Sequence, residues 1–429
     1  MKVLIRRMVP LLVVAGVLGL STVSAGAAGA LKASAPGVTS NTITIGFIYS
    51  ATGIASSSYV DAYQGALARL DAQNSAGGVD GRKLKLVVKD DQSSLTGMSD
   101  AANLLSRNTF AVIPLSSFTF AAAKTLQQAG VPVVGYEVDG PEWGQQPYTN
   151  MFSFSAPTST PFNGTYYTYT ETAEFLKSLG VTKMANLAYG ISPSAVQATK
   201  DFEAAAAAVG MKNPKCYENL NVPFGSNDFT ADALAISHAG CNGVEAALVD
   251  NSDVALSQAL KNQGLTSNKV KQLYYTGYSQ TVLDNPSVDA SYQGAYVLAG
   301  INFTTPSAPV RQMLKNIARY VPGAKSNEIP NYGVQNSYTA MDLMIDGLEH
   351  AGRNPTRTSF IDNLHKVTDY TAGGIFPSPG VSFSLKSFGT LAMLPKTACS
   401  YIVHLVKDRF VPVDGGKLIC GRRIAVPTS

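Results

Sequence analysis

The chain has 429 residues, of which 45% are hydrophobic and only 14% charged, and its formal net charge is +4. That balance leaves no basic stripe for a nucleic acid, which needs Lys and Arg gathered against its phosphates. With so few charges, polarity has to come from Ser, Thr, Asn, Gln and Tyr, and the length calls for two or more domains.

Lys2, Arg6 and Arg7 precede an apolar run at 8–20, and small residues lead to a Val23-Ser24-Ala25 site. This pattern predicts a secretory signal peptide over residues 1–25. Its removal takes away those three positive charges and no acid, so the charge falls from +4 to +1. Residues 26–42, made largely of Ala, Gly, Ser and Thr, read as a flexible leader. No Cys occurs before Cys216, so no lipid anchor is expected. No later apolar run reaches membrane-spanning length. The expected location is exported, periplasmic or extracellular.

The β-branched run at 43–48 predicts a strand, followed by a small, hydroxyl-rich loop at 49–58. Residues 59–73 keep helical spacing, with Tyr59, Tyr63, Ala66, Leu67 and Leu70 on one face. Gly77, Gly78 and Gly81 end that helix, and 84–89 reads as a second strand. In such a β-α-β unit small ligands sit beyond the carboxyl ends of the strands. The loop lacks GxGxxG and GxxxxGK[ST], so no nucleotide phosphate has a cradle here.

The alternation continues. Helices are predicted at 99–106 and 121–129, strands at 110–115 and 131–135, a short extended segment at 151–155 and a helix at 165–179. A second set begins at 183, with strands at 183–189, 216–222, 243–249 and 271–276 and an extended segment at 294–300. Its helices fall at 195–209, 229–239 and 254–263. Helices at 310–320, 336–351 and 359–366 follow, then a Gly, Pro and Ser-rich stretch at 371–395 and a hairpin at 400–413. The same β-α grammar thus runs twice, before and after about residue 160, and the tail crosses back between the two lobes.

The four Cys suit an exported protein. Cys216 opens one predicted strand and Cys241 precedes another; if those strands are parallel neighbours, both thiols lie at one sheet edge. Cys399 and Cys420 flank the predicted hairpin. The expected disulfides are Cys216–Cys241 and Cys399–Cys420. His238, His350, His365 and His404 are scattered, with no HExxH, CxxC or GxSxG spacing. No enzyme activity, cofactor or metal is expected.

The opening stretch resembles the start of the type I solute-binding proteins of ABC transporters, in the branched-chain amino acid (leucine/isoleucine/valine) group. The resemblance is carried by Ile45-Gly46, Thr52-Gly53, Gln64-Gly65-Ala66, Asn74, Gly77-Gly78-Val79, Gly81-Arg82-Lys83-Leu84 and Asp90-Asp91. It continues through Ser116-Ser117, Gly130-Val131-Pro132-Val133, Asp228-Phe229 and Tyr338-Thr339-Ala340-Met341-Asp342, over residues 43–413. It implies an α/β fold of two Rossmann-like lobes joined by three hinge crossovers. The lobes are expected at 43–157 plus 291–370 and at 158–290 plus 371–429. A small polar solute, an amino acid or related compound, would bind between them and pass to a membrane ABC permease. A ligand sensor docked to a membrane receptor shares this fold, and a secreted hydrolase is a third reading. The chain is expected to be a monomer.

Several residues are expected to face the solute. Thr52, with Ser56, Ser57 and Ser58, would offer hydroxyls, and Tyr59 a stacking face; Ser58 is equally suited to cap a helix. Ser116 and Ser117 open a helix after a strand, where hydroxyls and N–H groups suit a carboxylate. Tyr136, Glu137 and Asp139 follow the next strand. Acids there favour a cationic or hydroxyl-rich solute, or else form a solvated loop. Asp250 stands at a strand end, as an ammonium partner or a helix cap. The family's main ammonium partner falls at Thr276-Gly277-Tyr278, where this chain has no acid and places Tyr278 instead.

Overall fold

The computed structural model describes residues 31–59, 61–137 and 140–427. The expected signal peptide and the start of the leader lie outside the described residues. The first sheet holds β1 (Thr42–Tyr49), β2 (Lys83–Asp90), β3 (Ala111–Leu115), β4 (Val133–Gly135) and β5 (Met151–Ser153), in the order β2-β1-β3-β4-β5 and all parallel. A parallel sheet is covered on both faces, so its inner strands are continuous apolar runs. β3 is buried at all five positions.

The helical turn α1 (Ser56–Tyr59) and helices α2 (Ala62–Ser75), α3 (Leu95–Asn108) and α4 (Phe120–Gln128) belong to this lobe. In the second lobe β6 (Tyr167–Tyr169) leads into α5 (Glu171–Ser178), β7 (Lys183–Tyr189) into α6 (Pro193–Ala208), and β8 (Asn213–Val222) into α7 (Thr230–Ala239). β9 (Gly243–Ala247), α8 (Asp250–Asn262), β10 (Lys271–Tyr274), α9 (Gln280–Asp284), α10 (Pro286–Tyr292) and β11 (Tyr296–Ala299) complete the run. The chain then returns to the first lobe with α11 (Ala308–Tyr320), α12 (Tyr332–Ala351) and α13 (Arg357–Leu364). It ends in the second with β12 (Thr397–Val406), β13 (Arg409–Pro412) and β14 (Ile419–Ala425). The second sheet runs β6-β14-β12-β11-β10-β9-β7-β8, with β13 on β12. The chain therefore passes between lobes three times: after β5, after β11 and after α13.

The family motifs of the opening stretch act as structural clamps. Asn74 brackets Leu84, accepting its N–H at 2.8 Å and donating to its carbonyl at 2.9 Å. The buried Arg82 guanidinium donates to the carbonyls of Thr39, Lys32 and Arg353. Gly65 lets α2 lie directly on α12: a Cβ there would stand 2.2 Å from the Val334 carbonyl oxygen.

Four expectations need correction. The predicted helix at 165–179 is a strand followed by a shorter helix. Its Tyr-Thr-Tyr start has β-favouring side chains, and it pairs antiparallel with β14. β11, expected in the first lobe, hydrogen-bonds to β10 and β12 in the second sheet. Residues near 383, expected in the second lobe, pack on the first, where the Phe383 ring stands 5.6 Å from that of Phe152. Both expected disulfides are present, but β8 and β9 are not neighbours, because β7 lies between them. Cys241 reaches Cys216 from the loop before β9.

Candidate functional site

The carboxyl ends of the strands in both sheets converge on a cavity of about 350 Å³ between the lobes. That lies at the small end of the roughly 300–1,000 Å³ range of small-molecule sites. The first lobe contributes Ser58 and Tyr59 from α1, Ser117 after β3, Tyr136 and Glu137 after β4, Ser155, Ala156, Thr158 and Ser159 after β5, and Tyr332 at the start of α12. The second contributes Thr168, Tyr169 and Glu171, one face of α6 that includes Ser194, Ala198 and Asp201, Ala247 to Val249 after β9, and Tyr275 and Thr276 after β10. Among the described residues lining the cavity there is no Lys, Arg or His.

Three buried carboxyl groups face this space. Glu137 accepts the Ser159 N–H at 2.7 Å, and its own N–H donates to Ser153 Oγ at 3.0 Å. Burial pushes its carboxyl up to about 8, against hydrogen bonds from Ser159 and Thr158. Glu171 is the first residue of α5, and burial pushes it up to about 7. Its Oε2 has no hydrogen-bond partner. Asp201 accepts from Gln197 Nε2 at 2.6 Å; burial holds it well above the usual carboxylate range, and the charge of Glu137 pushes the same way. Tyr275 is raised by burial first, then by Glu245, with Glu171 and Asp201 adding.

β14 sets the position of Glu171. The Thr170 N–H donates to the Arg422 carbonyl at 3.1 Å. Gly421 admits the start of α5 so closely that a Cβ there would stand 2.1 Å from the Glu171 nitrogen. Aromatic rings form much of the opposite wall. Tyr136 stacks on Phe154 at 5.2 Å and meets Tyr332 edge-on at 6.1 Å, while Tyr59 meets Tyr332 at 5.8 Å.

Of the residues expected to face the solute, Ser58, Tyr59, Ser117, Tyr136 and Glu137 line the cavity. Asp139 lies outside the described residues. Thr52 does not line it: its hydroxyl donates to Asp90 Oδ2 at 2.6 Å, and its loop is gathered onto that carboxylate. Ser116 is buried beneath the loop, where its Oγ accepts from the Phe118 N–H. Asp250 stands beside the cavity and accepts from Ser58 Oγ at 2.9 Å, across the lobe boundary. Tyr278 is a core residue. Its Oη accepts the Phe303 N–H at 3.2 Å, and its ring packs edge-on against Phe410 at 5.0 Å. β10 ends at Tyr274, so the strand-end positions are Tyr275 and Thr276; Gly277, at φ +87°, then turns the chain away.

Glu171, Asp201 and Tyr275 were missed by sequence reasoning. Asp201 leaves a trace: Ser194, Ala195, Ala198, Asp201 and Phe202 recur at helical spacing, so one acid stands on an otherwise small or apolar stripe.

Two α/β lobes around a buried cavity at their strand ends define a cleft-type binding protein. The sequence profile described as "Periplasmic binding protein" matches residues 42–404, and the chain belongs to this family. Solved structures with the same fold include a fatty acid ABC transporter substrate-binding protein from Thermomonospora curvata. It is 16% identical, covers 89% of this chain and 94% of its own, and has a TM-score of 0.71. A branched-chain amino acid transporter substrate-binding protein from Streptococcus pneumoniae, in complex with isoleucine, is 18% identical over 89% of this chain and 100% of its own, at a TM-score of 0.66. A solute-binding protein from R. palustris, in complex with benzoate, is 14% identical over 90% and 98%, at 0.69. No curated protein sequence matches the chain. The family is one of extracytoplasmic solute-binding proteins that serve ABC transporters. No described helix is long and apolar enough to cross a membrane.

Proposed function

We propose that this protein is exported by its N-terminal signal peptide, captures a small polar solute between its lobes and delivers it to a membrane ABC permease. The observation that carries the reading is the cavity, whose wall is shared between the strand ends of both lobes. A solute touching both walls stabilises the closed arrangement over an open one, which is what a permease would recognise. Tyr59, Ser117, Tyr136 and Glu137 from one lobe and Glu171, Asp201 and Tyr275 from the other are the residues we assign to the solute. Asp250 belongs to the closure contact instead. We read the protein as a binder and not a catalyst, acting as a monomer.

The test is a thermal-shift screen across amino acids, amides, amines and aromatic acids, followed by small-angle scattering with the best hit. Saturable stabilisation, because ligand binds the native state, together with a smaller radius of gyration, is expected. Conversion of the hit into a product would replace the binder with an enzyme. Intact-mass measurement of the exported protein checks signal cleavage.

A further inference from the structure

The cavity is acidic in a way that isoleucine and benzoate, the ligands in two solved structures of this fold, do not require. Glu137, Glu171 and Asp201 all face it, and no described lining residue is cationic. An anionic solute would lose its hydration there without meeting a counter-charge. The demand at Glu171 is more specific. The residue is only 8% exposed, it lines the cavity, and its Oε2 lacks any partner. Once Glu171 is ionised, that buried oxygen has nothing to accept, which is unfavourable, so a donor belongs opposite it. A neutral hydroxyl would satisfy that oxygen. It would not relieve the repulsion between Glu137 and Asp201 once they ionise, and they lie close enough to act on each other. A positive charge does both.

The cation is organic. Among the described residues no three His, Cys, Asp or Glu gather closely enough to hold a metal ion. The carboxyls are instead spread around a space that also carries ring faces, Tyr136 and Tyr275 among them. Carboxylates and aromatic faces around one space suit a charged nitrogen on a short stem.

We propose that the solute is an organic cation, a small amine or guanidine without a carboxylate, with its nitrogen against Glu171 and Asp201 and its stem against Tyr136 and Tyr275. The assignment rests on the solute-binding reading and narrows it. It also couples binding to protons. The acids hold protons in the empty site, so an arriving cation displaces them, and affinity rises with pH.

The experiment is titration calorimetry at pH 8 with one panel: tyramine, agmatine and putrescine as amines and guanidines, tyrosol as the neutral partner of tyramine, isoleucine as the zwitterion, and 4-hydroxybenzoate as the anion. At least one cation is expected to bind saturably and at least tenfold more tightly than the tyrosol, isoleucine and 4-hydroxybenzoate arms. Repeating that titration at pH 7 in phosphate and in Tris should reveal proton release from the wild-type protein. E171Q and D201N should each weaken the cation at least tenfold, with unliganded circular dichroism unchanged. Proton release keeps the proposal testable if either variant fails to fold, since its absence overturns the displacement of protons by a cation. Binding of isoleucine, tyrosol or 4-hydroxybenzoate with no response to the cations overturns the cationic assignment and leaves solute binding standing. No saturable binding by any class removes the solute-binding reading as well.

Discussion

Ser58 Oγ donates a 2.9 Å hydrogen bond to Asp250 Oδ1, joining the first helical turn of one lobe to the first residue of α8 in the other. Nearby, the Phe118 ring meets Phe224 edge-on at 5.2 Å, and Phe224 in turn meets Tyr189 at 4.8 Å. The closed arrangement is therefore held by the Ser58–Asp250 bond, by the Gly140 N–H donating to Ser194 Oγ, and by an aromatic seam. The Ser58–Asp250 bond is partly solvated, which limits its worth to about 1 kcal/mol. Asp250→Ala is expected to open the unliganded protein, visible as a larger radius of gyration in small-angle scattering. Solute affinity should fall about fivefold, the equivalent of that energy. Folding stability should change little, because the bond is a single, partly solvated contact. An unchanged scattering profile and affinity would make the contact incidental.

Glu245 provides a pH dependence of stability. It lies on β9 and is fully buried. The groups around it are Tyr275, which donates weak support, and the acids Glu203 and Asp201, which repel it. Burial pushes its carboxyl from 4.5 up to about 8. The folded protein therefore keeps this proton across a pH range in which the unfolded chain has lost it. The stabilisation is full below about pH 4.5 and disappears as pH rises toward 8. Glu245→Gln does not titrate, so its stability relative to wild type should improve by about 3 kcal/mol between pH 5 and pH 8. Urea denaturation at the two pH values measures this directly. A constant difference would mean that Glu245 is ionised in the fold.

The lobes were legible because parallel strands and amphipathic helices leave strong periodic marks, as at β1, β3 and α11. What escaped was non-local. β14 carries Arg422 and Arg423 within a seven-residue strand, and its partner β6 lies far away in sequence. The site divided along the same line. Tyr136, Glu137 and Ser117 follow strands, where position alone marks the cleft. Glu171 and Asp201 sit in helices, where a cavity-facing stripe has the same pattern as a core-facing one. Tyr278 was misplaced by a small margin: β10 ends at Tyr274, and Gly277 redirects the chain into the core.

Gly65 tests the packing of the first lobe. A Cβ at this position would stand 2.2 Å from the Val334 carbonyl and 2.4 Å from Ser337 Oγ. Neither can yield, since both belong to α12, whose opposite face packs on the sheet. Gly65→Ala gains helix propensity of about 1 kcal/mol but forces the two helices apart, an overpacking penalty of roughly 1–3 kcal/mol or more. The net expectation is a lower melting temperature. α12 also carries Tyr332 into the cavity wall, so solute affinity should fall in parallel. A variant as stable as wild type would show that the helices can separate freely.

The two disulfides should separate stability from binding. Their loops span 25 and 21 residues, so each contributes roughly 3 kcal/mol by restricting the unfolded chain. Cys216–Cys241 ties the edge strand β8 to the loop before β9, and neither cysteine lines the cavity. Replacing this pair with Ser should lower the urea midpoint and leave affinity nearly unchanged. Cys399 and Cys420 face each other directly across β12 and β14. β14 is the strand on which β6 hangs, and Gly421 seats the start of α5. Loosening β14 therefore displaces Thr168, Tyr169 and Glu171 together. Cys399→Ser with Cys420→Ser should lose a similar stability and at least tenfold in solute affinity. Equal effects of the two pairs on affinity would mean that β14 is held in register by its backbone hydrogen bonds alone.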